Sequence, residues 1–213
     1  GRTIQELCLA AVDPAGLPGE GPGRGEHLRF VPDEWIATYL HWIRNLQDWC
    51  ISRQLWWGHQ IPAWYDEAGN VYVARDEPDA RAQAHAKLGR EPVSFQRDED
   101  VLDTWFSSAL WPRSTLGWPE ATPELAYYYP TNVLITSRDI ITLWVARMVL
   151  TGLSNVGEIP FHEVFIHPKI LDRDGETMSK SKGNGVDPLD VVEKFGADAL
   201  RFGLAHLTTE TQD

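Results

Sequence analysis

Two short runs of mostly β-branched and apolar residues, Val133-Leu134-Ile135-Thr136 and Glu163-Val164-Phe165-Ile166, flank the long apolar stretch 140–148. Strands with so few alternating polar positions suit a parallel sheet covered on both faces, and parallel neighbours need a long crossover, usually a helix. The stretch Ile140-Ile141-Thr142-Leu143-Trp144-Val145-Ala146-Arg147-Met148 is long enough to be that buried helix. The chain is therefore expected to be α/β, with the two strands adjacent and parallel, joined through the helix bearing Trp144 in a right-handed crossover.

The rest of the chain reads as elements gathered around this unit. With 213 residues, 43% of them hydrophobic, it has apolar side chains enough for one core and a small appendage. Trp35, Tyr39, Trp42, Leu46 and Trp49 recur every three or four residues, so a helix is expected over about 33–47. Residues 61–65 and 71–73 read as a β-hairpin around a Gly-Asn turn. An exposed helix should follow over 77–90, then a short helix over 103–110 and a loop punctuated by Pro and Gly out to Pro130. Two helices close the chain, at 187–194 and 197–207, the first opened by Asp187 as N-cap with Pro188 at its first position. Residues 13–26, rich in Gly and Pro, read as a linker or surface loop.

Composition removes several classes of function. No apolar run approaches the roughly 20 residues that span a bilayer, and residues 1–7 carry no signal-peptide pattern, so the chain reads as soluble and cytoplasmic with no membrane partner. Cys8 and Cys50 lack the neighbours that a zinc site requires. A net charge of −12 argues against a surface-wide grip on nucleic acid.

Four segments can carry chemistry. In 176–184, Lys180, Lys182, Ser179, Ser181 and Gly183 sit on a polar loop between a strand and a capped helix, able to wrap phosphate oxygens with ammonium, hydroxyl and N–H groups. Such a loop should be mobile until its ligand arrives; an ordinary solvated loop has the same composition. Asp139 and Ile140 fall just past the carboxyl end of the first strand, where ligands of open α/β sheets sit, so Asp139 is placed for a ribose hydroxyl. Ile140 and Trp144 are four residues apart on one helical face, which core packing alone would also explain. Asp98, Glu99, Asp100 and Asp103 lack the glycine and terminal glutamate of a calcium loop, so no metal site is expected.

The order of these residues adds a resemblance. Met178-Ser179-Lys180-Ser181 with Lys182-Gly183-Asn184 resembles the KMSKS signature of class I aminoacyl-tRNA synthetases, which implies a Rossmann-type parallel sheet, of which this chain would hold the second half with flanking helices and a small β-hairpin appendage. Asp48 to Pro62, with Arg53-Gln54-Leu55-Trp56-Trp57-Gly58-His59, is similar to the segment that follows the inserted editing domain in the valyl branch of that family. Asp98 to Ser108 is similar to the valyl and isoleucyl branches alike, and Pro130 to Met148 to the valyl one. The resemblance implies that Lys180, assisted by Lys182, offsets charge on the phosphates. It also implies that Asp139, His167, Met178, Ser179, Lys180 and Ser181 bind ATP, and that Trp105, Ile140 and Trp144 wall a valine pocket. Magnesium would arrive with ATP rather than on a protein site.

The match is not uniform. Thr177 stands where the signature begins with lysine, Ser137-Arg138 where a glycine and an aromatic precede the Asp, and Pro168 where glycine follows the His. A non-catalytic module of the same fold, binding a nucleotide, tRNA or a protein partner, therefore remains open. The family's first signature, His-x-Gly-His, is absent, as are an editing domain and an anticodon-binding bundle. The expected organisation is a linker or the end of an inserted domain over 1–30, the second catalytic half over 31–207 with an insertion at about 61–97, and a tail over 208–213. Its expected partners are valine, ATP, tRNA and the missing N-terminal half, with self-association of the chain when that half is absent.

Overall fold

The computed structural model describes residues 1–12 and 27–208; the expected linker at 13–26 and most of the tail lie outside them. The chain divides into two units, Gly1–Leu46 with Pro112–Asp213, and Gln47–Trp111.

The first unit is built on the parallel pair expected from the sequence. Strands β7 (Thr131–Thr136) and β8 (Phe161–Ile166) run parallel in the register Leu134 with Val164 and Thr136 with Ile166, and the connection between them carries Trp144. A third strand, β1 (Arg29–Val31), pairs in parallel with β8 on its other side, giving the order β1-β8-β7. Helices α1 (Ile4–Ala10), α2 (Ile36–Arg44) and α7 (Ala146–Asn155) flank it. Cys8, Phe30, Tyr39, Ile43, Leu134, Ile141, Met148, Val149, Phe161, Val164 and Ile166 are buried together as one core.

Several expectations are corrected here. Burial on both faces fails for β7, whose Val133 and Ile135 are 50% and 64% exposed while Leu134 and Thr136 face the core. The strand is at the edge of the sheet, and its outward face has no covering layer among the described residues. The helix expected over 140–148 begins as a 3-10 turn (Arg138–Ile140), widens into a π turn (Ile141–Val145) and becomes α-helical only from Ala146. The helix expected over 33–47 likewise opens as a 3-10 turn (Asp33–Trp35) and stops at Arg44. Between 110 and 130 the expected loop instead holds α5 (Trp111–Ser114) and α6 (Pro123–Tyr128), the latter capped by Thr122. At the end of the chain, α8 (Pro188–Phe195) and α9 (Ala197–Leu207) match the expected helices. Asp187 accepts the Leu189 N–H at 2.8 Å.

The second unit holds the hairpin, β3 (Ala63–Asp66) and β4 (Val71–Val73), extended by a strand the sequence did not announce, β5 (Phe95–Arg97), in the order β4-β3-β5. Helix α3 (Glu77–Leu88) packs on it through Ala80 and Ala84, capped by Asp76 at one end and left-handed Gly89 at the other. The turn is organised by Asp66. Its carboxylate accepts the N–H groups of Ala68 and Asn70, both at 2.9 Å, the Asn70 amide at 2.8 Å and the Tyr72 hydroxyl at 2.7 Å.

Burial by itself pushes the Asp66 carboxyl up, but these donors overcome it and hold the group well below the usual carboxylate range. A depressed folded-state pKa gives stability that is present above the unfolded value, about 3.9, and lost as pH falls toward the folded one. Asp66→Asn should therefore lower the urea midpoint of this unit at about pH 7, and the gap from the parent chain should narrow at about pH 3. A gap of the same size at both pH values would exclude Asp66 as the source.

Candidate functional site

The carboxyl ends of β7 and β8 lie side by side, and the His167 N–H donates to the Thr136 carbonyl at 3.0 Å. From β7 the chain continues through Ser137 to Asp139; from β8 it continues through His167, Pro168 and Lys169. A cleft of about 420 Å³ is lined by Asp139, His167, Pro168, Lys169, Ile170, Thr177 and Met178. This is the crevice outside the strand ends where α/β sheets bind ligands.

Its polar groups are ordered by their neighbours. Asp139 pairs with Lys169, and the Ser137 hydroxyl lies 3.4 Å from its carboxylate. The bond from Lys169 does most to hold the Asp139 carboxyl below the usual range; slight burial opposes it, and Ser137 and Arg138 add to it. The His167 Nδ1 is 2.9 Å from the Pro168 carbonyl oxygen, which can only accept, so Nδ1 carries the proton and a neutral ring presents Nε2 as an acceptor. Arg138 is turned elsewhere, its guanidinium 5.8 Å from the centre of the Trp35 ring.

The loop after the cleft is laced by polar contacts rather than apolar ones. Leu171 and Thr177 form an antiparallel bridge around a turn in which Gly175, at φ 76°, takes the left-handed conformation. Asp172 accepts the N–H groups of Asp174 and Glu176 and the Asn184 amide, the last at 2.7 Å, while the Asn184 carbonyl accepts the Ser179 N–H at 2.9 Å. The Lys182 ammonium is 2.7 Å from Glu176. Lys180 is exposed and has no carboxylate partner among the described residues. The two lysines that look equivalent in sequence are therefore unlike: one is partly neutralised, the other is not. Beside the loop runs a larger, mostly apolar groove of about 700 Å³, lined by Ile170, Leu171, Met178, Phe195 and Leu204 among others, which suits apolar side chains better than a nucleotide.

In the second unit, two of the segments singled out by sequence pair with each other. Strands β2 (Ser52–Arg53) and β6 (Val101–Leu102) are antiparallel, and Arg53 pairs with the buried Asp103. Asp103 also caps α4 (Thr104–Ser108) by accepting the Trp105 N–H at 2.7 Å, so Trp105 stands at a helix start fixed by an ion pair. Gly58 approaches Val101 so closely that an added Cβ would fall 2.9 Å from its side chain. The carboxylates weighed as metal ligands are committed elsewhere: Asp98 to the Tyr65 hydroxyl, Asp100 to Gln54 and Asp103 to Arg53. Trp56 and Trp57 are almost fully exposed.

Of the residues singled out from sequence, the structure brings Asp139, His167 and Met178 to one cleft. Ser179, Lys180, Ser181 and Lys182 follow on the adjoining loop, and Ile140 and Trp144 follow Asp139, half-buried. Trp105 belongs to the other unit. Ile140 ends the 3-10 turn and Trp144 lies in the π turn, so the regular α-helix begins only after both, at Ala146. Lys169 was missed, and only its position just past a strand end would have drawn attention to it.

The family model for tRNA synthetases class I (I, L, M and V) matches residues 23–213. The chain is 55% identical over 196 residues to a valine–tRNA ligase of Brucella suis, covering 92% of this chain and 21% of that protein. It is also 55% identical to one of Rhodopirellula baltica, covering 99% and 23%. It thus spans about a fifth of the length of the curated relatives it matches. Among solved structures, a ternary complex of Agrobacterium radiobacter K84 agnB2 LeuRS with tRNA and LeuAMS shares the fold at TM-score 0.59 and 24% identity, over 82% of this chain and 27% of that one. Mycobacterium tuberculosis methionyl-tRNA synthetase bound by methionyl-adenylate does so at 0.54 and 23%, over 83% and 28%.

Proposed function

Given that the chain belongs to the class I tRNA synthetases (I, L, M and V), we propose that it forms the second half of the catalytic domain of a valine–tRNA ligase. The parent protein would activate valine with ATP and transfer it to tRNA in the cytoplasm. The observation that carries this reading is the cleft at the ends of two parallel strands, bounded by an ionised carboxylate and followed by a loop whose Lys180 has no carboxylate partner among the described residues.

In this reading Asp139 accepts a ribose hydroxyl, while His167 and Met178 line the nucleotide cleft and Ser179 and Ser181 supply hydroxyls toward phosphate. The valine carboxylate attacks the α-phosphate and pyrophosphate leaves. Catalysis is then positioning and charge stabilisation, with no covalent enzyme intermediate. Lys180 meets the charge that grows on the phosphates. Lys182, beside Glu176, assists. Magnesium accompanies ATP, as a hard cation that favours phosphate oxygens. Ile140 and Trp144 wall an apolar pocket for the valine side chain. Such a pocket rejects threonine only about a hundredfold, valine-specific synthetases being the standard case, so the parent protein is expected to edit elsewhere.

The test is amino-acid-dependent ATP–pyrophosphate exchange by the full-length protein, with valine, isoleucine, leucine and threonine compared by kcat/KM. Valine should be preferred, with threonine about a hundredfold lower. A preference for isoleucine or leucine would overturn the valine assignment, and no exchange with any amino acid would favour the non-catalytic module.

A further inference from the structure

Lys169 lines the cleft, and nothing in the reading above uses it. Of the seven residues lining that cleft it alone carries an ammonium group. Its side chain is 21% exposed, against 57% for its partner Asp139, so the lysine is held in the wall while the carboxylate stays open.

That pairing answers an electrostatic difficulty. A carboxylate able to accept a ribose hydroxyl also repels the triphosphate that the ribose carries, and inside a cleft this repulsion is screened less than in open water. Protonating Asp139 would remove the repulsion at the cost of its acceptor strength. An adjacent ammonium removes it without that cost. A carboxylate has about four acceptor positions, and here Lys169 and the distant Ser137 hydroxyl take only part of them. The bridge between Leu171 and Thr177 returns the chain to the same cleft, so Lys169 and the start of the phosphate loop share it.

We infer that Lys169 is a positioning residue of the nucleotide site: its ammonium holds the Asp139 carboxylate in place and cancels its repulsion of the incoming phosphates. The inference rests on the nucleotide reading of the cleft. The depressed Asp139 carboxyl, due first to Lys169, agrees with it.

The experiment uses the full-length protein and measures exchange while ATP and valine are varied separately. Lys169→Met should raise KM for ATP about tenfold or more, as for loss of a charge-assisted bond, with KM for valine unchanged. Lys169→Arg, which keeps the cation, should recover most of the loss. In an Asp139→Asn background Lys169→Met should add little, because the charge it offsets is already gone. A KM for ATP within about twofold of the parent value in Lys169→Met, or effects of the two substitutions that simply multiply, would overturn the inference. Lys180→Ala separates the two levels. If it still slows exchange in that case, the nucleotide reading stands and only the role of Lys169 fails; if Lys180→Ala and Asp139→Asn are both silent, the nucleotide reading falls and takes this inference with it.

Discussion

Lys180→Ala in the full-length protein is expected to slow valine-dependent ATP–pyrophosphate exchange by about 10²- to 10³-fold, the usual loss for a group that meets charge only in the transition state. Lys180 is exposed, pairs with no carboxylate among the described residues and buries nothing, so its removal leaves the fold intact. The loss should appear equally in kcat and kcat/KM, the signature of an interaction made only in the transition state. Lys182→Ala should cost much less, since its ammonium already lies 2.7 Å from Glu176. An exchange rate unchanged by Lys180→Ala would remove the role given to this loop.

The second large effect concerns the chain by itself, which should show little or no valine activation and should associate. Strand β7 ends the sheet, with no strand beyond it among the described residues, and Val133 and Ile135 stand out from its face. An open edge beside apolar surface favours pairing with another chain. Among the described residues the N-terminal segment does not close that edge: Arg29–Val31 pairs with β8 on the opposite side. Leu189, Phe195, Phe202 and Leu207 leave further apolar surface on the last two helices. Analytical ultracentrifugation should show self-association, and the N-terminal half of the parent protein added in trans should suppress it and restore exchange. A strictly monomeric chain with exchange near that of the full-length protein would contradict both expectations.

The elements legible in the sequence were those whose signals are local. The β-branched runs at 133–136 and 163–166 marked parallel strands, and Asp187-Pro188 marked a helix start to the residue. Two other local signals were present but not read. Thr3 and Glu6 form a reciprocal capping box for α1, and Thr122-Pro123 opens α6 within a stretch whose Pro and Gly suggested only loop. What could not be read depended on partners distant in sequence. Phe95–Arg97 becomes a strand because Trp64, Tyr65 and Asp66 offer it an edge. The exposure of Val133 and Ile135 depends on what the sheet lacks beyond β7. In the candidate site, Asp139 stood out because it follows a strand and His167 only through the family resemblance, whereas the importance of Lys169 depends on its pairing with Asp139 across two strand ends.

The π turn at Ile141–Val145 puts a slip of phase in the connection from β7 to β8. The buried face nevertheless keeps a spacing of four across this boundary, with Ile141, Val145 and Val149 all fully buried. Deleting a single residue within the turn could restore regular hydrogen bonding while swinging Trp144 away from its present heading. The widened turn thus works as a vernier: Ile141 and Val145 stay locked in the core while the side chains between them are indexed separately from the helix that anchors them.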